Sequence, residues 1–383
     1  MSIKPLRWGI ISTGGIATKY AQDLLVDPST REVSDVKHVI TAVGSRSVDS
    51  ANKFIDALKA AKADEGWGWG VKNGGLDNVK GYGSYEEVYA DPNVDIVYIG
   101  TPHTFHHRNA KDALLAGKHV CCEKPFTLSL EELDELIALA KEKNLFLMEA
   151  VWTRFHPIAY KVQEVLKSGK LGKPKRFSAD FSSDFKPDQQ PDSHRMIDPK
   201  LGGGSLLDMG PYPSVWAMLM VHHHPLNKDK TPKVVSSYQS IYKRSGVDAS
   251  SRWIVEWDGL CLGNLMTDMT TSGFADNTAL LQCDKGDLVV ENPPYKPSTF
   301  HIVPHPQLSD GDLTKRETIH APVHQGNNGM AYEADECARC IARGEIESKR
   351  MPWDESRVVQ GWFDTVRNEG GTVLKGKKGT VGQ

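Results

Sequence analysis

Strand and helix signals alternate over the first 150 residues, and strand signals dominate afterwards, in a chain of 383 residues, long enough for two cores. These observations predict an α/β protein. A doubly wound parallel-sheet domain is expected at 1–150, interrupted by an insertion near 56–80. An α+β domain with a large, mostly antiparallel open sheet is expected at 151–383, its closing helices reaching back towards the first domain.

In order, segment 6–11 is a short apolar strand, followed by Ser12-Thr13-Gly14-Gly15-Ile16-Ala17 and a helical stretch to about 26. Segments 38–44, 94–100, 118–122 and 145–149 are further nearly continuous apolar runs, as expected of strands covered on both faces. Ser84 with Glu87 and Ser129 with Glu132 match capping boxes at helix starts. Leu130, Leu133, Leu136, Ile137 and Ala140 then recur at helical spacing, and Asn144 stands where a C-cap is expected. The glycine-rich stretch with Trp67 and Trp69 reads as a loop. Beyond 151, one helix at 158–167 precedes strand-like segments at 175–181, 233–242, 252–257, 261–269 and 278–283. Helices at 332–343 and 353–368 close the pattern, and the Gly/Lys-rich tail reads as frayed.

Charged residues make up 25% and the formal net charge is -3, with no basic stripe, so no nucleic-acid partner is expected. No apolar run approaches the ~20 residues needed to cross a bilayer. The start of the chain lacks the apolar core of a signal peptide, and the expected location is cytoplasmic. The six scattered cysteines read as reduced thiols. Cys337-x-x-Cys340 has no second pair to complete a zinc site, and the run His222-His223-His224 has no evident acidic or thiol partner, so no metal is expected.

A strand, a tight glycine turn and a helix N-terminus form an anion cradle. Ser12-x-Gly14-x-x-Ala17 is a degenerate dinucleotide fingerprint, with Ser in place of the first glycine. Ser12, Thr13, Gly14, Gly15 and Ile16 are its candidate cofactor contacts. The second strand ends on Gly44-Ser45-Arg46 with no acid at its tip, which suits a 2′-phosphate and hence NADP rather than NAD. Ser50 is placed to add a hydroxyl from the following helix. Arg46 also reads as a solvated loop residue.

Four further motifs occur in order. They are Thr101-Pro102-His103 with His106; Lys118-His119-Val120 leading into Glu123-Lys124-Pro125; Glu149-Ala150-Val151-Trp152-Thr153-Arg154-Phe155; and Gly202-Gly203-Gly204-Ser205-Leu206-Leu207-Asp208-Met209-Gly210-Pro211-Tyr212. On these the chain resembles the glucose–fructose oxidoreductase / inositol dehydrogenase (Gfo/Idh/MocA) family over nearly its whole length. Within it, the chain is most similar to the branch of dimeric dihydrodiol dehydrogenases and fungal NADP-dependent D-xylose 1-dehydrogenases. The resemblance implies a Rossmann domain and cofactor contacts from Thr101, Pro102, His103, His106, Glu123, Lys124, Trp152 and Arg154. It also implies a catalytic set of Lys124, Tyr212 and Asp208, a substrate pocket lined by Trp152, Phe181, Asp208 and Tyr212, and a homodimer formed through the second domain's sheet. The dihydrodiol enzymes carry a second Arg four residues after the first in the phosphate-binding turn; Ser50 stands there in this chain.

The chemistry is coherent with that set. A phenol, with a reference pKa of ~10, is a poor base at neutral pH unless a nearby ammonium stabilises its phenolate. Lys124 and Tyr212 would form such a pair. Asp208 lies four residues before Tyr212, on the same face if the segment is helical. The expected reaction is oxidation of an aldose, D-xylose at C1 to its lactone being the leading case, by hydride transfer to NADP+. Oxidation of trans-dihydrodiols and reduction of dicarbonyls or anhydro-sugars are same-class alternatives. A sugar-responsive regulator without turnover, or a glycosidase using NAD transiently, are alternatives of another class.

Overall fold

The computed structural model describes residues 4–61, 75–305, 315–324 and 326–372. The Trp67/Trp69 loop and the far C-terminal tail expected from the sequence lie outside the described residues. The chain divides into two compact units, one made of 1–152 and 323–356, the other of 153–322 and 357–383.

The first unit holds β1 (Leu6–Ile11), α1 (Gly15–Leu25), β2 (His38–Gly44), α2 (Val48–Ala60), β3 (Lys80–Tyr82), α3 (Tyr85–Ala90), β4 (Ile96–Ile99), α4 (His106–Leu115), β5 (His119–Glu123), α5 (Leu130–Lys143) and β6 (Leu147–Ala150). Its six strands are parallel in the order β3-β2-β1-β4-β5-β6, so the direction of winding reverses beside β1. All four residues of β4 and of β6 are buried, as a strand covered on both faces requires.

Helix starts follow the local chemistry. Ser84 and Glu87 form a complete capping box on α3. On α5, Ser129 Oγ accepts the Glu132 N–H (3.3 Å), but the Glu132 carboxylate reaches back to the Leu128 N–H (3.0 Å) and not to Ser129. The expected box is therefore shifted by one residue. Asn144 ends α5 in the left-handed conformation (φ 53°, ψ 46°), which Asn tolerates better than most side chains.

The second unit begins with α6 (Pro157–Lys167), β7 (Pro174–Ser182), α7 (Ser205–Met209) and α8 (Pro211–Ala217). It continues with β8 (Lys233–Ile241), β9 (Asp248–Trp257), β10 (Cys261–Asp268), β11 (Ala279–Cys283), β12 (Gly286–Val290), β13 (Thr299–Pro304) and β14 (Glu317–His320). These eight strands form one sheet, β14-β13-β12-β11-β7-β10-β9-β8, in which only the β7/β10 pair is parallel. One face carries α7 and α8. On the other face Tyr238, Arg252 and Met266 stand side by side across β8, β9 and β10, and all three are exposed.

The chain then returns to the first unit with α9 (Ala331–Ala342), before α10 (Trp353–Gly370) starts there and ends in the second. The return is anchored by buried charge. The Asp23 carboxylate accepts backbone N–H groups of Asn328, Gly329, Met330 and Ala331 at 2.7–3.2 Å. Arg31 donates two hydrogen bonds to Asp335. Among the described residues no helix is long and apolar enough to cross a membrane, and none of the six cysteines is in a disulfide.

Candidate active site

In the first unit the expected cofactor residues converge at the C-terminal ends of β1, β2, β4 and β5. Ser12 sits at φ 91°, a conformation that glycine adopts without strain, which explains why the usual fingerprint has Gly there. Its Oγ accepts the Gly14 N–H at 3.2 Å and so closes the turn. Gly14 is the N-cap of α1, with no side-chain cap and no acid in the first turn. A Cβ on Gly15 would meet nothing within 4 Å. The helix start is therefore open to an anion, as a pyrophosphate requires. Ala17 packs close under Gly100, where the fingerprint's third small residue lets helix and sheet approach.

Ser45 is buried at the end of β2, its hydroxyl 3.3 Å from that of Thr13, while Arg46 beyond it is exposed. Ser47 caps α2 through the Ser50 N–H (3.2 Å), and the two hydroxyls lie 3.0 Å apart. The tip of β2 thus offers a cation and hydroxyl groups without a competing carboxylate, which fits a 2′-phosphate.

After β4, Thr101 is buried, while Pro102 is exposed and His103 half-buried. His106 departs from the expected direct cofactor contact. It is fully buried, with Nδ1 2.8 Å from the Pro125 carbonyl and Nε2 2.9 Å from that of Thr101. Its ring ties together the loops after β4 and β5 from behind and presents no edge to a ligand. Burial pushes the imidazole below its usual pKa, although both carbonyl contacts act in the opposite direction.

Glu123 is buried at the end of β5; its carboxylate accepts from Tyr98 Oη (2.7 Å) and from the Lys124 N–H (3.2 Å). It positions Lys124 from below. The Lys124–Pro125 peptide is cis. Glu149 supports the same loop, accepting the Phe126 N–H at 3.1 Å and the Ser356 hydroxyl at 2.6 Å. Trp152 is buried at the end of this unit.

In the second unit, Asp208 and Tyr212 fall on successive turns, because Gly210 between α7 and α8 keeps right-handed helical angles (φ -57°, ψ -30°). The two side chains therefore share a face. Tyr212, Phe181 and Tyr295 form a three-ring cluster with centroids 5.4–5.8 Å apart. Tyr295 has no signal in the sequence: it lies in a proline-rich loop before β13. Asp208 Oδ1 accepts from Arg195 Nη1 at 2.5 Å, a second contact that sequence reasoning missed. Arg154 is only 2% exposed, with Nη2 2.9 Å from His223 Nε2.

Segment 6–151 matches the model of the Gfo/Idh/MocA oxidoreductase family with an NAD-binding Rossmann fold, and 160–289 matches that family's C-terminal domain. The chain is 36% identical to the D-xylose 1-dehydrogenase (NADP(+)) of Hypocrea jecorina, over 96% of this chain and 93% of that one. It is 30% identical to the trans-1,2-dihydrobenzene-1,2-diol dehydrogenase of Danio rerio, over 96% and 98%. Levoglucosan dehydrogenase, solved with NADH and levoglucosan, has the same fold at a TM-score of 0.78 and 17% identity, with 96% and 98% covered. Both domains are matched and relatives align end to end: the chain belongs to the Gfo/Idh/MocA oxidoreductase family.

Proposed function

We propose that this enzyme oxidises the C1 carbon of an aldose, D-xylose first among them, to the lactone with NADP+. The carrying observation is Tyr212, a phenol buried to 7% exposure, on one helical face with Asp208 and walled by Phe181 and Tyr295. The 36% identical D-xylose 1-dehydrogenase supports the choice of sugar and cofactor. When bound, NADP+ supplies the hydride acceptor.

The chain's residues do the rest. Tyr212 takes the C1 hydroxyl proton, and Lys124 lowers the cost of the phenolate that proton transfer needs. Asp208 accepts a substrate hydroxyl and fixes the ring's orientation, while Phe181 and Trp152 pack against its apolar faces. Ser12, Thr13, Gly14, Gly15 and Ile16 cradle the pyrophosphate. Ser45, Arg46 and Ser50 hold the 2′-phosphate, and Thr101, Pro102 and His103 line the nicotinamide side.

The deciding experiment is spectrophotometric. NADP+ and NAD+ are screened with pentoses, hexoses and trans-dihydrodiols, using wild type and Tyr212→Phe. Wild type is expected to prefer NADP+ and D-xylose. The variant should lose about 10²–10⁴ in kcat, the range of general-base catalysis, with NADPH affinity unchanged. Retained kcat would remove Tyr212 from the role. A second reading, oxidation of trans-dihydrodiols, is favoured by the aromatic wall and by the 30% identical relative; higher kcat/KM on diols than on every sugar would establish it.

The exposed β8–β10 face, with Tyr238 67% and Leu262 46% exposed, is the surface for a second copy of the chain. The cysteines, free of disulfides, accord with a cytoplasmic enzyme.

A further inference from the structure

The Gly202–Gly204 run has a structural purpose that leads to a residue outside the expected site. A Cβ on Gly203 would lie 2.9–3.0 Å from the carbonyl oxygens of Arg195, Met196 and Asp198. Only glycine lets that turn come so close. The approach is fixed by Gly203 N–H to Asp198 O (3.1 Å) and Gly204 N–H to Met196 O (3.0 Å). Met196 and Ile197 are fully buried in a cluster with Met209 and Met269. Arg195 is thus held at its backbone while its side chain, 52% exposed, reaches Asp208.

The contact uses Nη1 alone, at 2.5 Å, and the guanidinium carbon rides 5.8 Å from the Phe185 ring centroid. A fork built for stability would engage the carboxylate with two nitrogens. Within the second unit, among the described residues, the other guanidinium nitrogens make no hydrogen bond.

We propose that Arg195 is a specificity-determining residue: it holds Asp208 and offers its remaining N–H groups to a hydroxyl oxygen of a neutral polyol substrate. The inference rests on reading Asp208 and Tyr212 as the substrate side of the site. The Coulomb interaction between Arg195 and Tyr212 puts the guanidinium within electrostatic reach of the phenol. Asp208 balances the Arg195 charge. Burial and the Arg195 charge push His194 below its usual pKa, so it adds none at neutral pH. A phosphorylated or carboxylated sugar would have to compete with Asp208 for the Arg195 guanidinium.

The test uses the full-length protein with saturating NADP+ and D-xylose, D-glucose, glucose 6-phosphate and a trans-dihydrodiol, comparing wild type, Arg195→Ala and Arg195→Lys. NADPH affinity and thermal midpoint are measured alongside. Loss of a charged donor to a hydroxyl should raise KM by about 10- to 100-fold in Arg195→Ala, with a smaller change in kcat. NADPH affinity should stay the same, and Arg195→Lys should recover part of the loss. The lysine variant alone reads the effect where the alanine variant does not fold. Wild type should prefer glucose to its 6-phosphate. KM within twofold of wild type in both variants, or a preference for the phosphate, overturns the inference while the functional reading stands. Wild type inert on the whole panel refutes both.

Discussion

Replacing Asp335 by alanine probes how the first unit is closed by a segment some three hundred residues downstream. Asp335 Oδ1 accepts from Arg31 Nη2 (2.6 Å) and Oδ2 from Arg31 Nε (2.7 Å), while His38 Nε2 lies 2.9 Å from Oδ1. The Trp8 indole N–H donates to His38 Nδ1 (3.1 Å), so the proton of the neutral ring sits on Nε2 and points at Asp335. The Arg31 and Asp335 side chains are 0% and 1% exposed. Removing the carboxylate strands a guanidinium whose Nη1 is already without a partner. Such a loss costs about 3–5 kcal/mol, against ~0–1 kcal/mol for a solvated pair. With a urea slope of about 3 kcal/mol/M, the midpoint falls by roughly 1–1.7 M, read by circular dichroism. Burial pushes the Asp335 carboxyl up, but the Arg31 and His38 contacts outweigh it and hold the group below its ordinary value. Its contribution is therefore complete above the unfolded pKa of ~3.9 and is lost as pH falls through the lower folded value. The gap between wild type and Asp335→Asn should stay constant from neutral pH down to about pH 5 and narrow only in stronger acid. An alanine variant within about 0.3 M of wild type would refute the reasoning.

Arg46→Ala should raise KM for NADP+ by about 10- to 100-fold and leave KM for NAD+ within about twofold, since only the 2′-phosphate loses a charged partner; equal effects on both cofactors would contradict this. Gly204→Ala places a methyl 2.1 Å from Asp248 Oδ1 at φ 110°, where that carboxylate holds Ser205 and Leu206. The expected loss is about 1–3 kcal/mol or more, visible as a lower thermal midpoint. Tyr238→Asp puts a charge on the exposed β8–β10 face, on edge strand β8. Light scattering is expected to report a dimer for wild type and a monomer for the variant, with the chain still folded.

What the sequence made legible was local or ordered. Strand and helix periodicity, the Ser84 cap and the Asn144 stop act over a few residues, so the Rossmann order emerged without long-range information. The Ser12 turn was legible because a glycine-type position occupied by serine still leads from strand to helix. Short strands β3 and β12–β14 were missed: each has three to six residues, and pairing rather than composition makes it a strand. The closing helices were expected to reach back, but the placement of the returning segment at 323–356 was out of reach. It depends on Asp23 and Asp335 meeting partners 304–308 positions away in sequence, and no local pattern encodes that.

The candidate site shows the same division at finer grain. Asp208 and Tyr212 could be paired from their spacing, because a helix converts four residues into one face. Arg195 could not, because its approach to Asp208 depends on a turn folded against Gly203 and on two buried neighbours. The glycine run is thus informative for a reason different from its use as a fingerprint. Glycine is needed at 203 for backbone approach and at 204 for φ 110° beside Asp248. Neither position touches chemistry. Both set the angle at which α7 leaves the loop, and with it where Asp208, Tyr212 and the Arg195 fork point. Substrate choice in this branch should accordingly vary through residues such as Arg195 and Tyr295, while the glycines and the Asp–Tyr spacing stay fixed beneath them.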